Sequence, residues 1–215
     1  MTHKQMLQKV QKDTQKWLII GFGGVVSLTK EQLQLKYNLI RDLLIEEYSE
    51  YLDGIKKNNR LEQLNAISDL LFVANNLPFY EGKHKVEDWV ITDKKLQFYN
   101  PRAVFEHYYH DYELVLEVIN TIISESGFSI YEIYMENEAT YKSNMTKFCK
   151  TEAEAKVSAQ MYANGTHPNM QDKKEKVVKC EYLPTGNSEY PFRVQTPDGK
   201  IMKSHLFLDV EHFRN

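Results

Sequence analysis

The sequence predicts a mainly α fold, a helical bundle with a small β-hairpin or sheet at its C-terminus. Three observations predict it. Over most of the first 165 residues apolar side chains recur every three or four positions, the spacing of one helix face. Cap residues bound these stretches: Thr29, Ser129 and Thr151 at starts, Gly127 and Gly165 at stops. From about residue 173 the period becomes two, in EKVVKCEYL, YPFRVQT and KIMKSHLF, with TPDGK as a turn. The expected division is a helical part over 1–170 and a β element over 171–215.

Residues 1–17 are polar with Met6, Leu7 and Val10 at helical spacing. The following GFGG lacks the GxGxxG spacing and the GK[ST] ending of phosphate-binding loops, so it reads as a connection that ends the helix. Thr29 with Gln32 forms a capping-box signal. The next helix carries the stripe Leu33, Tyr37, Ile40, Leu44 and Tyr48. GIKKNN breaks it, and a further helix runs from about Arg60 to Asn76 with Leu61, Leu64, Ile67 or Ser68, and Leu71 inward. Pro78 and YEGKHK close that helix. Residues 80–101 are turn-rich and read as a loop or lid. A helix over 103–125, one from Ser129 through SIYEIYMENEATYKSNMTKF, and one in TEAEAKVSAQMYANG complete the helical part. No internal repeat or low-complexity tract appears.

The chain has 215 residues, 42% hydrophobic, and a formal net charge of −3. That suits one globular unit of moderate size. The charge lacks the basic surplus of a nucleic-acid-coating protein. The apolar run WLIIGFGGVV is about half of the ~20 residues that cross a bilayer, and no signal-peptide pattern stands out. Cys149 and Cys180 are far apart and form no CxxC, which fits a reducing cytoplasm better than a disulfide framework.

The chemistry-bearing stretch is LLIEEYSEYLDGIKKNNRLEQLNAISDLLF, residues 43–72. Positions three and four apart share a helix face, so Glu50 shares a side with Glu46 and with Glu47. On the next helix Glu62, Asn65 and Asp69 are spaced three, then four. The short break sets the two helices antiparallel as neighbours, and the Asp69 side then looks toward Glu47 and Glu50. Converging carboxylates repel by about 4 kcal/mol per close pair at an effective dielectric of ~20. A hard divalent cation such as Mg²⁺ is the natural offset, since it prefers carboxylate oxygen and keeps waters for phosphates. Each glutamate by itself also reads as a solvated helix face, and Asp69 as a cap or salt-bridge partner. Asp69 stands out because AISDLLFV would bury its charge.

LIEEYSEYLDGI…LEQLNAISDLLFVANNL resembles the all-α nucleotide pyrophosphohydrolase superfamily, which includes MazG-like proteins, phosphoribosyl-ATP pyrophosphohydrolases and dimeric dUTPases. The signature of that group is EExxE on one helix and ExxD on the next, together holding Mg²⁺. Glu46, Glu47 and Glu50 match the first motif, Asp69 the second, and Asn76 the asparagine that follows. YKSNMTKF (141–148) is similar to the SNMSK segment of phage and bacterial MazG-like proteins, and PDGKIMKS (197–204) to their C-terminal DGK…K tail. The resemblance runs from about residue 33 to near the end. It implies an all-α NTP pyrophosphatase-type bundle that hydrolyses a nucleoside triphosphate to monophosphate and pyrophosphate, with Mg²⁺ (or Mn²⁺) on Glu47, Glu50 and Asp69. It also implies Glu46 or Glu50 as the base for water, and Asn76, Lys142, Asn144 and Lys147 on the substrate. Phe72, Tyr80 or Tyr141 would stack on the base. A homodimer or homotetramer is expected, with no membrane or nucleic-acid partner.

One position departs from the pattern. The Glu of ExxD falls at 66, where this chain has Ala66. Glu62 lies two turns from Asp69 on the same face, about 10.5 Å away along the axis. It either holds a second ion or a metal-bound water, or is a solvated helix residue. Two alternatives stay open beside the general pyrophosphohydrolase: one narrowed to dUTP or dCTP, and a non-catalytic nucleotide sensor or scaffold in which Ala66 marks a decayed site. His107 and His110 are three apart on an expected helix, but HExxH is absent. His167 and His205 read as surface residues. Cys149 has no partner in sequence for a nucleophilic role.

Overall fold

The computed structural model describes residues 1–22, 27–83, 85–90, 92, 94–96, 100–168, 178–197 and 199–214. Its helices are α1 (His3–Phe22), α2 (Lys30–Lys56), α3 (Arg60–Ala74), α4 (Leu77–Tyr80), α5 (Pro101–His107), α6 (Tyr112–Glu125), α7 (Ile130–Met145) and α8 (Glu152–Ala163). Three short strands follow, β1 (Glu181–Pro184), β2 (Phe192–Gln195) and β3 (Ile201–Met202), in the antiparallel order β1-β2-β3. The fold is therefore mainly helical with a small C-terminal sheet. Gly23, Gly24, residues 173–177 of the first expected strand and Asp198 of the expected turn lie outside the described residues. Two compact units can be distinguished. One holds the described residues of Met1–Lys16, Ser27–Thr140 and Arg214, the other those of Trp17–Val26 and Tyr141–Phe213.

In the first unit the caps act as the sequence signals them. The Thr29 hydroxyl accepts from the Gln32 amide at 3.2 Å, and the Gln32 side chain accepts from the Thr29 amide at 2.9 Å, satisfying two of the donors that a helix start leaves open. Ser129 and Glu132 repeat the exchange before α7, at 3.2 and 2.7 Å. The α2–α3 hairpin turns on Asn58, which adopts φ 52°, a conformation that asparagine tolerates better than most residues. With Asn58 so placed, the Asn59 amide reaches back to the Gly54 carbonyl at 2.8 Å and closes α2 in a Schellman motif. Asn59 then caps α3 through its side chain, accepting from the Glu62 amide at 3.2 Å.

The α2–α3 packing is the most extensive of the described structure. Gly54 permits the close approach at the turn, because a Cβ there would stand 2.9 Å from the Gln63 backbone nitrogen and Cγ. Ile40, Leu44 and Tyr51 of α2 are buried, as are Ala66, Ile67, Leu70, Leu71 and Ala74 of α3. Each large aliphatic side chain so buried contributes about 1.5–3 kcal/mol. Leu61, expected inward, is instead 49% exposed. The inward row of α3 starts at Gln63, whose side-chain amide donates to the Gly54 carbonyl at 3.2 Å, while Ile67, Ser68 and Leu71 are buried as expected.

The single helix expected over 103–125 is two. Tyr108–Asp111 interrupt it, and Asp111 caps α6 by accepting from the Leu114 amide at 3.1 Å. An aspartate with an extended backbone favours a helix start over a helix interior. α6 is the most apolar helix of this unit, with Val115, Leu116, Val118, Ile119, Ile122 and Ile123 buried. α7 runs parallel to α3. Glu132 pairs with Arg60 at 3.6 Å, and Thr140 receives a hydrogen bond from Ser68 at 2.9 Å.

In the second unit α8 packs against β1 and β2. Thr151 caps α8 through the Glu154 amide at 3.1 Å. Cys149, Ala155, Tyr162 and Val194 form the buried centre. Val194 pairs with Tyr182 on one side and Met202 on the other.

Candidate functional site

The α2–α3 register places the carboxylates. Outward from the Gly54–Gln63 contact, six residues on along α3 is Asp69, and six back along α2 is Tyr48, next to Glu47. Glu47 also continues the inward row Ile40, Leu44, Glu47, Tyr51, Gly54, spaced by fours and threes. It is half-buried where its apolar neighbours in that row are buried. By this count Glu47 on α2 and Asp69 on α3 fall at about the same level along the hairpin. Glu46 and Glu50 are more exposed, on the rim. The Glu50 carboxyl is held above the usual carboxylate range, first by partial burial, then by repulsion from Glu46 and Glu62, against a smaller opposing pull from Lys57.

Asp69 is half-buried rather than sealed in apolar surroundings, and its Oδ2 accepts from the Asn65 amide at 3.0 Å. Ala66 is fully buried, so the position where the resemblance wants a glutamate has no solvent face. Glu62 sits at the start of α3. It accepts from Lys57 at 3.1 Å and from the Asn59 side chain at 3.2 Å, the arrangement of a first-turn residue that returns its cap's hydrogen bond.

The substrate-side residues are placed differently. Asn76 is buried, and its amide donates to the Phe72 and Val73 carbonyls at 2.8 and 3.2 Å, so it closes the last turn of α3. Asn144 is buried too, and its backbone carbonyl accepts from Trp17 Nε1 at 3.0 Å. Lys142 is exposed and Lys147 half-buried. Lys142, Asn144 and Lys147 belong to the second unit, and the carboxylates to the first. Of the candidate stacking rings, Phe72 and Tyr80 are buried and Tyr141 is half-buried.

Two functional-site residues were missed by the sequence reading. Glu136 of α7, 3% exposed, is ion-paired with Arg214, whose Nε stands 3.2 and 2.9 Å from the two carboxylate oxygens. Arg214 Nη2 also reaches Asn65 Oδ1 at 3.4 Å. Arg214, Glu136, Asn65 and Asp69 therefore form one connected polar network. The row Glu132, Glu136 and Thr140, spaced by fours along α7, carried a signal for this contact, but nothing local pointed to Arg214.

The histidine and cysteine readings also meet the structure. His107 ends α5 and His110 lies in the break before α6, so the two do not share one helix. His167 is a buried residue, not a surface one; its ring stacks on Tyr162 with centroids 3.9 Å apart. The Cys149 thiol is pushed up to about 12 by burial and the nearby Glu154 carboxylate, far from the thiolate that a nucleophile needs. Neither cysteine is in a disulfide.

The donor set of the carboxylate face, Glu47, Glu50 and Asp69, is all oxygen, the chemistry that a hard divalent cation accepts. Among the described residues no three His, Cys, Asp or Glu side chains are gathered into a metal-holding group. No helix among those residues is long and apolar enough to cross a membrane.

Comparison with known proteins gives one relative to report. The chain is 26% identical over 204 residues to "Uncharacterized protein L479" of Acanthamoeba polyphaga mimivirus, covering 77% of each chain. No protein-family model matches, and no solved structure matches.

Proposed function

We propose that this chain is a Mg²⁺-dependent nucleoside triphosphate pyrophosphohydrolase, converting a (deoxy)nucleoside triphosphate and water to monophosphate and pyrophosphate, with Mn²⁺ as a possible substitute metal. The observation that carries the reading is the level placement of Glu47 and Asp69 across the α2–α3 interface, with Glu50 beside them, on the residues that match EExxE and the aspartate of ExxD. Glu47, Glu50 and Asp69 would hold the ion, which when bound neutralises phosphate charge. Glu46 or Glu50 would take the proton from the attacking water; the Glu50 carboxyl is held above the usual carboxylate range first by partial burial, then by Glu46 and Glu62. Asn76 and Asn144, the expected substrate-side amides, are both buried, with the Asn76 amide on the Phe72 and Val73 carbonyls. We further propose a homodimer or homotetramer in the cytoplasm.

The fully buried Ala66 favours a second reading, a nucleotide-binding protein without turnover. One experiment separates the two. A panel of nucleotides is incubated with protein and Mg²⁺, and products and binding are both measured. Monophosphate plus pyrophosphate supports hydrolysis. Binding without product supports the sensor, and diphosphate plus phosphate overturns the proposed bond cleavage.

A further inference from the structure

We propose that Arg214 is a tethered lock on the acidic site: held by Glu136, it fixes Asn65 so that the amide NH₂ covers Asp69, and a divalent cation reaching Asp69 must displace this arrangement. The inference rests on the reading of Asp69 as a cation ligand. A guanidinium only donates, so the contact with Arg214 Nη2 at 3.4 Å turns the carbonyl end of Asn65 toward the arginine. A carboxylate only accepts, so the other end of the amide faces Asp69 Oδ2 at 3.0 Å. Both constraints select one amide orientation. In it, a hydrogen-bond donor occupies a direction from which a cation would approach Asp69.

Glu136 keeps the lock in place. Its side chain is 4% exposed and that of Arg214 19%, and a carboxylate buried to that degree needs its partner. With Arg214 withdrawn, half a rotation of the Asn65 amide presents Oδ1 beside Asp69, four residues along the same helix face. Carbonyl oxygen is a donor that hard cations accept. The lock then lowers the apparent metal affinity by the fraction of molecules in which it is open.

The test measures Mn²⁺ binding to the metal-free full-length protein by electron paramagnetic resonance of the free ion, without nucleotide. Wild type is compared with Arg214→Ala and with the double variant Arg214→Ala/Glu136→Gln. The double variant removes one charge of each sign and leaves no buried carboxylate unpaired, so it carries the test if the single variant folds poorly. Binding is expected to tighten about fivefold in both, for a lock closed in roughly four molecules of five, and Asp69→Asn should abolish it in each background. Affinity within twofold of wild type in the double variant overturns the lock, because tightening confined to Arg214→Ala is then a net-charge effect. Mn²⁺ bound by no variant, or bound regardless of Asp69→Asn, overturns the metal reading itself and the lock with it.

Discussion

Along the first three turns of α3, Glu62, Asn65 and Asp69 are half-buried and are held by side chains, Glu62 by Lys57 and Asn59, Asn65 by Arg214, and Asp69 by Asn65. At its last turn Asn75 and Asn76 are buried, and their amides donate to backbone carbonyls of the helix itself. Asn75 Oδ1 accepts from the Tyr112 hydroxyl at 2.5 Å, and that hydroxyl accepts from Gln11 at 3.0 Å. One helix thus carries a polar end whose partners can exchange and a polar end whose partners cannot. Side-chain partners release a group at the cost of a rotamer change, whereas a backbone carbonyl at a helix end cannot move without unwinding the turn. The first end can hold a ligand; the second builds the fold.

Four substitutions break or sharpen this contrast. The largest effect is expected for Asp69→Asn, which should lower pyrophosphate release about a thousandfold, ~4 kcal/mol of transition-state stabilisation, while leaving the unfolding transition nearly unchanged. Full turnover at low Mg²⁺ would remove Asp69 from the site. Next is Ala66→Glu. Restoring the residue of the motif places a carboxylate where there is no solvent, and it should cost about 3 kcal/mol or more in urea unfolding without raising turnover. A stable and more active variant would show that α3 can rotate to open this position.

Tyr112→Phe probes the other end. It strands the Asn75 carbonyl oxygen and leaves the Gln11 amide only its bond to the Val90 carbonyl at 2.9 Å, and should lower stability by about 1–3 kcal/mol with the Mg²⁺ dependence unmoved. A loss of substrate affinity with intact stability would make this network part of the site. The smallest effect is expected for Glu62→Gln. Its ion pair with Lys57 lies at the surface and gives little stability, so the unfolding midpoint should hold. The loss of a carboxylate next to Glu50 should shift the Mg²⁺ dependence of turnover to higher concentration, by about twofold, as for a weakly coupled charge. An unmoved Mg²⁺ titration assigns Glu62 to the helix start alone.

Much of the fold was legible residue by residue. Thr29, Ser129 and Thr151 each cap the helix that the sequence assigned to them, because capping depends on a side chain and an amide only three positions apart. The carboxylate row of α2 was legible for the same reason, as helix phase is local. The break at Tyr108–Asp111 was not, because the apolar spacing on either side stays close to helical and only the Asp111 cap marks the restart. The exposure of Leu61 was not legible either, since the inward face of α3 follows from how closely α2 approaches at Gly54.

By itself the sequence determined the starts of α2, α7 and α8, the break between α2 and α3, the change to strands near the C-terminus, and the placing of Glu46, Glu47 and Glu50 on one side of α2. Each rests on neighbours within a turn of helix or a pair of strands. Only the tertiary structure decided that Ala66 is sealed, that Asn76 is a cap, and that Arg214 lies on Glu136, 78 positions away in the chain. Those outcomes depend on which surfaces meet, and burial or pairing across such separations is set by packing, not by local propensity.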